Sequence, residues 1–240
     1  MKYHHAPSAT AARRTATKKI AAKVLVIIGI SFAVGATANL LQSASGSSPS
    51  PAPTTPSIAP IAPIPELNIA AYMGQWYQVA YYPNRFQKHC AANTTATYRQ
   101  IPSSTRIEVL NQCQRSDGSW DSALGLARPV SGVSQIETAT DTEGAQAWLR
   151  PAQLQVSFLP QWLRWTGIGW GAYWVIDYAA DGRYAVISEP QREYLWILAR
   201  TPQLSASDRQ AIDAQLQAKG FDLQRLRDHP QNGAKPPIQP

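Results

Sequence analysis

The chain has 240 residues, enough for one domain with additional segments. Its 22 lysines and arginines against 15 acidic residues give a net charge of +7, which by itself would invite a nucleic-acid partner. Six of those basic residues lie within residues 1–38, where no acidic residue occurs, so residues 39–240 carry a net charge of about +1. The basicity therefore belongs to the N-terminal segment, and the composition predicts no nucleic-acid partner.

Residues 1–38 have the three parts of a secretory signal. A basic region ends at Lys23, an apolar run covers residues 24–34, and Ala36-Thr37-Ala38 provides a small-residue cleavage site. Residues 24–41 are also near the shortest apolar stretch that can span a bilayer, so an uncleaved anchor in the inner membrane is the alternative. Both interpretations predict export to the periplasm or cell envelope, the second with membrane association through this segment.

Residues 39–65 are rich in serine and proline. Such a segment cannot bury a core and favours an extended, polyproline-like backbone. We predict a spacer here, a folded domain over residues 66–228, and a disordered, proline-rich tail over residues 229–240.

Eight strand-like runs separated by turn residues follow one another in the folded domain. They cover residues 75–82, 93–101, 106–113, 120–127, 153–158, 171–178, 184–188 and 194–200. No helical period lies between them, so crossover helices and a parallel sheet are not expected. An antiparallel meander of this kind can close into a barrel, which removes exposed edges and has room for one small ligand.

Two further segments complete the domain. Residues 131–144 are polar and are predicted to be irregular. A helix is predicted from Asp208 to Lys219, capped by Ser205 or Ser207 and ended by Gly220.

The order of these motifs resembles the lipocalin family, most closely its bacterial outer-membrane and apolipoprotein D branch. The matching stretches are YMGQWYQVAYYPNRF at 72–86, ATY at 96–98, IEVLN at 107–111, YWVID at 173–177 and YLWILARTP at 194–202. The resemblance implies an all-β, eight-stranded antiparallel up-and-down barrel with one C-terminal α-helix packed outside. It also implies that Trp76, which follows Gly74, packs against Arg200 at the closed end. This chain has no cysteine for the lipid attachment of the outer-membrane branch and has the spacer instead.

Cys90 and Cys113 are the only cysteines in the sequence. In an exported protein an even count predicts a disulfide bond, here between the ends of two adjoining strands. Two free buried thiols are the alternative. A catalytic thiol would need a base beside it, and His89 is its neighbour in sequence.

No residue pattern predicts an enzyme, a metal site or a cofactor. Beyond the leader only His89 and His229 remain, and neither they nor the two cysteines have metal-ligand spacing. Gly-x-Ser-x-Gly does not occur, and Gly167, Gly169 and Gly171 lack the strand-to-helix context of a nucleotide-binding loop. The sequence therefore favours a binding protein.

The family resemblance implies a ligand site on the inner face of the barrel. The implied ligand-binding residues are Ala96, Tyr98, Val109, Asn111, Leu154, Val156, Phe158, Tyr173, Val175, Ile187, Tyr194 and Trp196. The small inward residues Gly125, Ala127 and Ala185 would leave volume unfilled, whereas the alternative is a closed core filled by the same side chains. An apolar lining with several phenols and one amide suits a fatty acid, lysophospholipid or similar amphiphile.

We therefore expect a protein that binds and stores or transports a small hydrophobic ligand in the cell envelope. One alternative is an envelope interaction protein that uses the Trp-rich loop 160–171, PQWLRWTGIGWG, on a membrane or partner. Another is an enzyme that acts on a lipid or pigment held in the cavity.

Overall fold

A computed structural model describes residues 59–141 and 144–235. The predicted signal or anchor, most of the predicted spacer and the last five residues lie outside the described residues. Within the described ranges, no helix combines the length and apolar character needed to cross a bilayer.

The described chain is built mainly of strands. In order, the elements are β1 (Leu67–Asn68), α1 (Ile69–Tyr72), β2 (Gly74–Tyr81), β3 (Ala92–Gln100), β4 (Ile107–Gln114), β5 (Trp120–Pro129), β6 (Gln135–Asp141), β7 (Gly144–Arg150), β8 (Gln153–Ser157), α2 (Gln161–Arg164), β9 (Gly171–Tyr178), β10 (Tyr184–Ser188), β11 (Leu195–Ala199), α3 (Ala206–Ala218) and β12 (Arg227–Asp228). A single 3-10 turn, Leu223–Arg225, joins α3 to β12.

Eight of these strands close into an antiparallel barrel. The order is β2-β3-β4-β5-β8-β9-β10-β11, and β11 pairs back with β2 from Trp196 opposite Tyr81 to Ala199 opposite Tyr77. These are the eight strands predicted from the alternating pattern, with bounds that differ by at most two residues. The predicted fold class is confirmed.

The stretch predicted to be irregular, residues 131–144, contains most of a hairpin, and that prediction is wrong. Strands β6 and β7 pair with each other, and β7 pairs with β1 through Leu67 opposite Leu149. Both leucines are fully buried, and Ile136 packs against the same interior cluster. The hairpin forms because it buries these side chains at one end of the barrel, which the polar composition of its sequence conceals.

Helix α3 packs on the outside of the barrel, as predicted. The side chain of Ser205 accepts a hydrogen bond from the N–H of Asp208 and caps the first turn. Ile212 and Leu216 are buried against outward-facing barrel residues and against Phe221, which folds back after the helix. The side chains that pack against the helix form a cluster distinct from the one inside the barrel.

The described part of the C-terminal tail is ordered against the barrel wall, contrary to the predicted disorder from His229. Strand β12 pairs with β2, and the His229 N–H donates to the Val79 carbonyl. The N–H of Asn93 donates to the Pro230 carbonyl on the other side. Pairing of β2 with β3 covers only residues 74–77 of β2, so the tail satisfies backbone groups that the two strands leave unpaired.

Candidate functional site

The two ends of the barrel differ. Connections between successive antiparallel strands alternate between ends. Residues 82–91, 115–119, 158–170 and 189–194 therefore lie at one end, which we call the mouth. The β6–β7 hairpin and helix α1 lie at the other, closed end.

Trp76 and Arg200 form the predicted pair at the closed end. The Arg200 guanidinium carbon lies 3.6 Å from the centre of the Trp76 ring, and the indole N–H donates to the Tyr72 carbonyl at 2.9 Å. Gly74 has a φ of +90°, a value that favours glycine, and lies directly beneath Arg200.

The disulfide bond between Cys90 and Cys113 is present, with Cα atoms 5.5 Å apart. Nearby, the His89 Nε2 atom lies 2.6 Å from a carboxylate oxygen of Asp121, which Arg115 also contacts at 3.2 Å. The two sulfur atoms lie close to His89, but sulfurs joined to each other are not thiolates. This cluster therefore has neither a nucleophilic thiol nor a thiolate for a metal.

The predicted ligand-binding residues share the inner face, but the half of the barrel toward the closed end is packed. Six of them are buried in the interior cluster: Ala96, Tyr98, Val109, Leu154, Val175 and Ile187. The ring of Phe158 lies over Gly125, with its nearest atom 2.6 Å from where a Cβ would stand. The volume expected above Gly125 is thus occupied, which favours the closed-core alternative for this half.

Three phenols form a hydrogen-bonded chain within that packed half. The Tyr173 hydroxyl lies 2.5 Å from that of Tyr72 and 2.8 Å from that of Tyr98. Burial raises the pKa of Tyr72 and Tyr173, and it raises the pKa of Tyr98 to about 12. All three hydroxyls are neutral at physiological pH, so they form a polar floor without charge.

The half of the barrel toward the mouth is accessible. Of the other six predicted residues, Tyr173 is half-buried and its hydroxyl belongs to the phenol chain of the packed half. The remaining five are half-buried or exposed: Asn111, Val156, Phe158, Tyr194 and Trp196. Ala123 pairs with Asn111 and shares its inward face, yet it is exposed. Solvent therefore reaches the inner face of the barrel at the level of Asn111.

A chain of amides leads from the mouth into the barrel. The indole N–H of Trp196 donates to Gln87 Oε1 at 2.9 Å, and Asn84 Nδ2 donates to the same oxygen at 2.9 Å. Gln87 Nε2 in turn donates to Gln78 Oε1 at 2.6 Å. An indole can only donate, so it fixes the orientation of both glutamine amides.

Gln78 consequently presents a donor with no partner. Its side chain is 3% exposed, and among the described residues no acceptor meets its Nε2 atom. Gln78 pairs with Leu198, a member of the interior cluster, and so lies on the inner face. Sequence reasoning missed this residue, although its position two residues after the buried Trp76 in a strand indicates the same face.

Comparisons with known proteins agree with this architecture. Residues 67–231 match the family model described as a lipocalin-like domain. Temperature-induced lipocalin-1 of Arabidopsis thaliana is 32% identical over 171 residues, which cover 71% of this chain and 82% of that protein. Outer membrane lipoprotein Blc of Escherichia coli K12 is 31% identical over 156 residues, which cover 65% of this chain and 74% of that protein. The solved structure of insecticyanin from Manduca sexta superposes with a TM-score of 0.50 at 15% identity and covers 70% of this chain and 83% of that one. At this identity the likeness shows only a shared fold.

Proposed function

The chain belongs to the lipocalin family, and we propose that it binds and carries a small amphiphile, such as a fatty acid or lysophospholipid, in the mouth half of its barrel. Relatives include a protein named as an outer membrane lipoprotein, and the leader predicts export. Both support a place in the cell envelope, on the outer side of the inner membrane. The proposed role is binding and transport without catalysis.

The observation that carries this proposal is the unpartnered Nε2 donor of Gln78 beside a lining that is mainly apolar and aromatic. A buried donor without an acceptor costs about 1–3 kcal/mol, so a ligand oxygen placed there would be recognised strongly. A carboxylate, phosphate or ester carbonyl offers that oxygen. The accessible inward side chains Val156, Phe158, Tyr194 and Trp196 provide apolar surface for a hydrocarbon chain.

The energetics support useful affinity. Burying ten methylenes contributes roughly 8 kcal/mol before the costs of ordering the ligand and the side chains. Allowing for those costs, we expect dissociation constants in the micromolar range. Because the closed half is packed, we expect the hydrocarbon chain to extend toward the mouth and not to the floor of phenols.

The first experiment is mass spectrometry of organic extracts from the purified protein, with native spectra of the same sample. A stoichiometric apolar molecule is the expected result. Titration with oleate and lysophosphatidylcholine then measures affinity. A protein that is empty and binds neither lipid would contradict the proposal.

Two neighbouring residues on β5 provide a matched pair of variants. Ala123→Trp adds an indole on the inner face at the mouth and should weaken oleate binding at least tenfold. Leu124→Trp makes a change on the outer face, where the leucine is 55% exposed, and should leave the affinity unchanged. Equal affinities for both variants would exclude the mouth half as the binding site.

The role of Gln78 is tested with two ligands, one that has a carboxylate head group and one that has none. In Gln78→Leu, oleate should bind about tenfold more weakly, since a hydrogen bond to a charged group contributes about 1.5–3 kcal/mol. The probe N-phenyl-1-naphthylamine, which has no carboxylate, should bind as it does to the wild type. Loss of affinity for both molecules would show damage to the lining and not loss of head-group recognition.

A further inference from the structure

Exposed apolar side chains concentrate at one end of the molecule. Among the described residues, the large apolar side chains that are exposed are Phe86, Leu124, Val133, Phe158, Trp162, Trp165 and Ile168. Five of them lie on mouth loops, and Leu124 lies beside the loop 158–170 because its carbonyl accepts from Arg164. Only Val133 belongs to the closed end. Exposed apolar side chains grouped in this way mark an interaction surface.

The Trp-rich loop has an organised base and projecting tips. Arg164 Nε donates to the Leu159 carbonyl at 2.6 Å, and Trp170 Nε1 donates to the Arg164 carbonyl at 3.2 Å. The guanidinium of Arg128 lies 4.0 Å from the centre of a Trp170 ring, which holds this tryptophan against the barrel. These contacts therefore fix the conformation of the base of the loop.

The tips of the loop are three large side chains turned to solvent. Trp162 is 69% exposed, Trp165 is 83% exposed and Ile168 is 71% exposed. Tryptophan combines a large apolar ring with one polar N–H, and it is enriched where hydrocarbon meets water at membrane surfaces. The residue types at the tips thus fit the interfacial layer of a bilayer.

Cations accompany these side chains. Arg85 lies over the exposed Phe86 ring at 4.9 Å, and Lys88 follows on the same mouth loop. Arg164 donates to backbone carbonyls. In the described part of the chain, none of these three cations forms an ion pair with a carboxylate. The positive charge of each is therefore not neutralised by a carboxylate and can attract lipid phosphates.

The chain also enters the described domain at the mouth end. The carbonyl of Ala59, the first described residue, accepts from Arg192 Nη2 at 2.5 Å, and Arg192 belongs to the mouth loop 189–194. The predicted anchor over residues 24–41 is separated from Ala59 by the 17 residues 42–58, and a chain of that length would reach about 50 Å if it were fully extended. A tether that reaches the domain at this end favours presentation of the mouth to the membrane.

We propose that the mouth end docks on a lipid bilayer, with Trp162, Trp165 and Ile168 in its interfacial layer and with Arg85, Lys88 and Arg164 at anionic head groups. A bilayer is favoured over a second copy of the chain because tryptophans, cations and the entry of the tether coincide at this end. The docking does not depend on an occupied ligand site.

The test uses the full chain with phosphatidylcholine–phosphatidylglycerol vesicles that carry brominated acyl chains. Bromine quenches only tryptophans that reach the acyl region, so quenching reports insertion even if the N-terminal segment already holds the chain on the vesicle. We expect quenched emission for the wild type and at least a twofold smaller quenched fraction in Trp162→Phe/Trp165→Phe. Unquenched emission from a vesicle-bound wild type would show that the tether alone holds the protein, which would overturn the proposal.

Vesicle flotation provides the second measurement. Without a retained anchor, Trp162→Ser/Trp165→Ser/Ile168→Ser should reduce binding at least tenfold, whereas Val133→Ser at the closed end should leave it unchanged. Raising the phosphatidylglycerol content should strengthen wild-type binding. A wild type that does not bind vesicles but loses a dimer in the triple variant, by sedimentation, would identify a second copy as the occupant and overturn the proposal.

Discussion

The imidazole Nε2 atom of His229 lies 2.7 Å from the hydroxyl oxygen of Thr94. This contact joins the C-terminal segment to strand β3, while the backbone of the same histidine is bound to β2. Gln231 strengthens the connection, because its side-chain amide donates to the carbonyls of both Gln78 and Thr94. The segment completes the barrel wall where β2 and β3 separate, so its attachment bears on the shape of the mouth.

We expect this attachment to weaken in acid. Burial lowers the pKa of His229 below its ordinary value of 6.5, so the folded protein holds the neutral ring. The unfolded chain binds the proton at higher pH than the folded protein does. The stability that the neutral His229 ring contributes is therefore fully present above about pH 6.5 and is lost as the pH falls through the folded-state pKa. Calorimetry should show a falling melting temperature in that window and a weaker pH dependence for His229→Gln. Gln231→Ala should lower the melting temperature at every pH without changing its pH dependence. An unaltered pH dependence in His229→Gln would contradict this assignment.

The closed end depends on the planar shape of Arg200. Besides lying over Trp76, its guanidinium donates to the carbonyls of Ala71 at 2.6 Å and of Met73 and Gln75 at 2.9 Å. A lysine keeps the charge but cannot reach these oxygens as a fork or stack on the indole. Arg200→Lys should therefore lose about 2 kcal/mol of unfolding free energy. For a domain of this size the melting temperature should fall by roughly 4–8 °C.

Calorimetry of Arg200→Lys beside Arg99→Lys separates this effect from a general cost of replacing arginine. Arg99 is exposed on β3, and its replacement should change the unfolding free energy by less than about 0.5 kcal/mol. Equal melting temperatures for both variants would show that the contact with Trp76 adds no stability.

Local sequence patterns were sufficient for the barrel strands because alternation and turn residues are encoded within each run. They were insufficient where pairing joins distant parts of the chain. The β6–β7 hairpin is held by Leu67, and the tail from His229 is held by groups of β2 and β3. In both cases the composition is polar or rich in proline, and only the distant partner makes order favourable.

The candidate site, too, could be predicted from the sequence only in part. The family resemblance implied which residues lie on the inner face, but it could not determine how far the interior is filled. That depends on Phe158 lying over Gly125 and on Tyr173 meeting two other phenols. The importance of Gln78 depends on Gln87, which approaches from a mouth loop and fixes the orientation of the amide. Such contacts between separate elements leave no periodic signal in the sequence.

The Cys90–Cys113 disulfide connects this mouth loop to β4, and its loss should affect stability and binding together. Closing a loop between residues 23 apart stabilises the fold by about 3 kcal/mol in the chain-entropy model. Cys90→Ser/Cys113→Ser should therefore melt roughly 6–12 °C lower than the wild type. Because residues 82–91 carry Gln87, the same variant should bind oleate more weakly at temperatures where it is still folded.

Calorimetry and oleate titration on the double variant provide both measurements. Wild-type protein treated with a reductant is the control for the serine substitutions and should reproduce both changes. A lower melting temperature with unchanged oleate affinity would mean that the loop is positioned without the disulfide. In that case the contacts of Gln87 with Trp196 and Gln78 would suffice to hold the donor in place. An unchanged melting temperature would contradict the stabilising role itself.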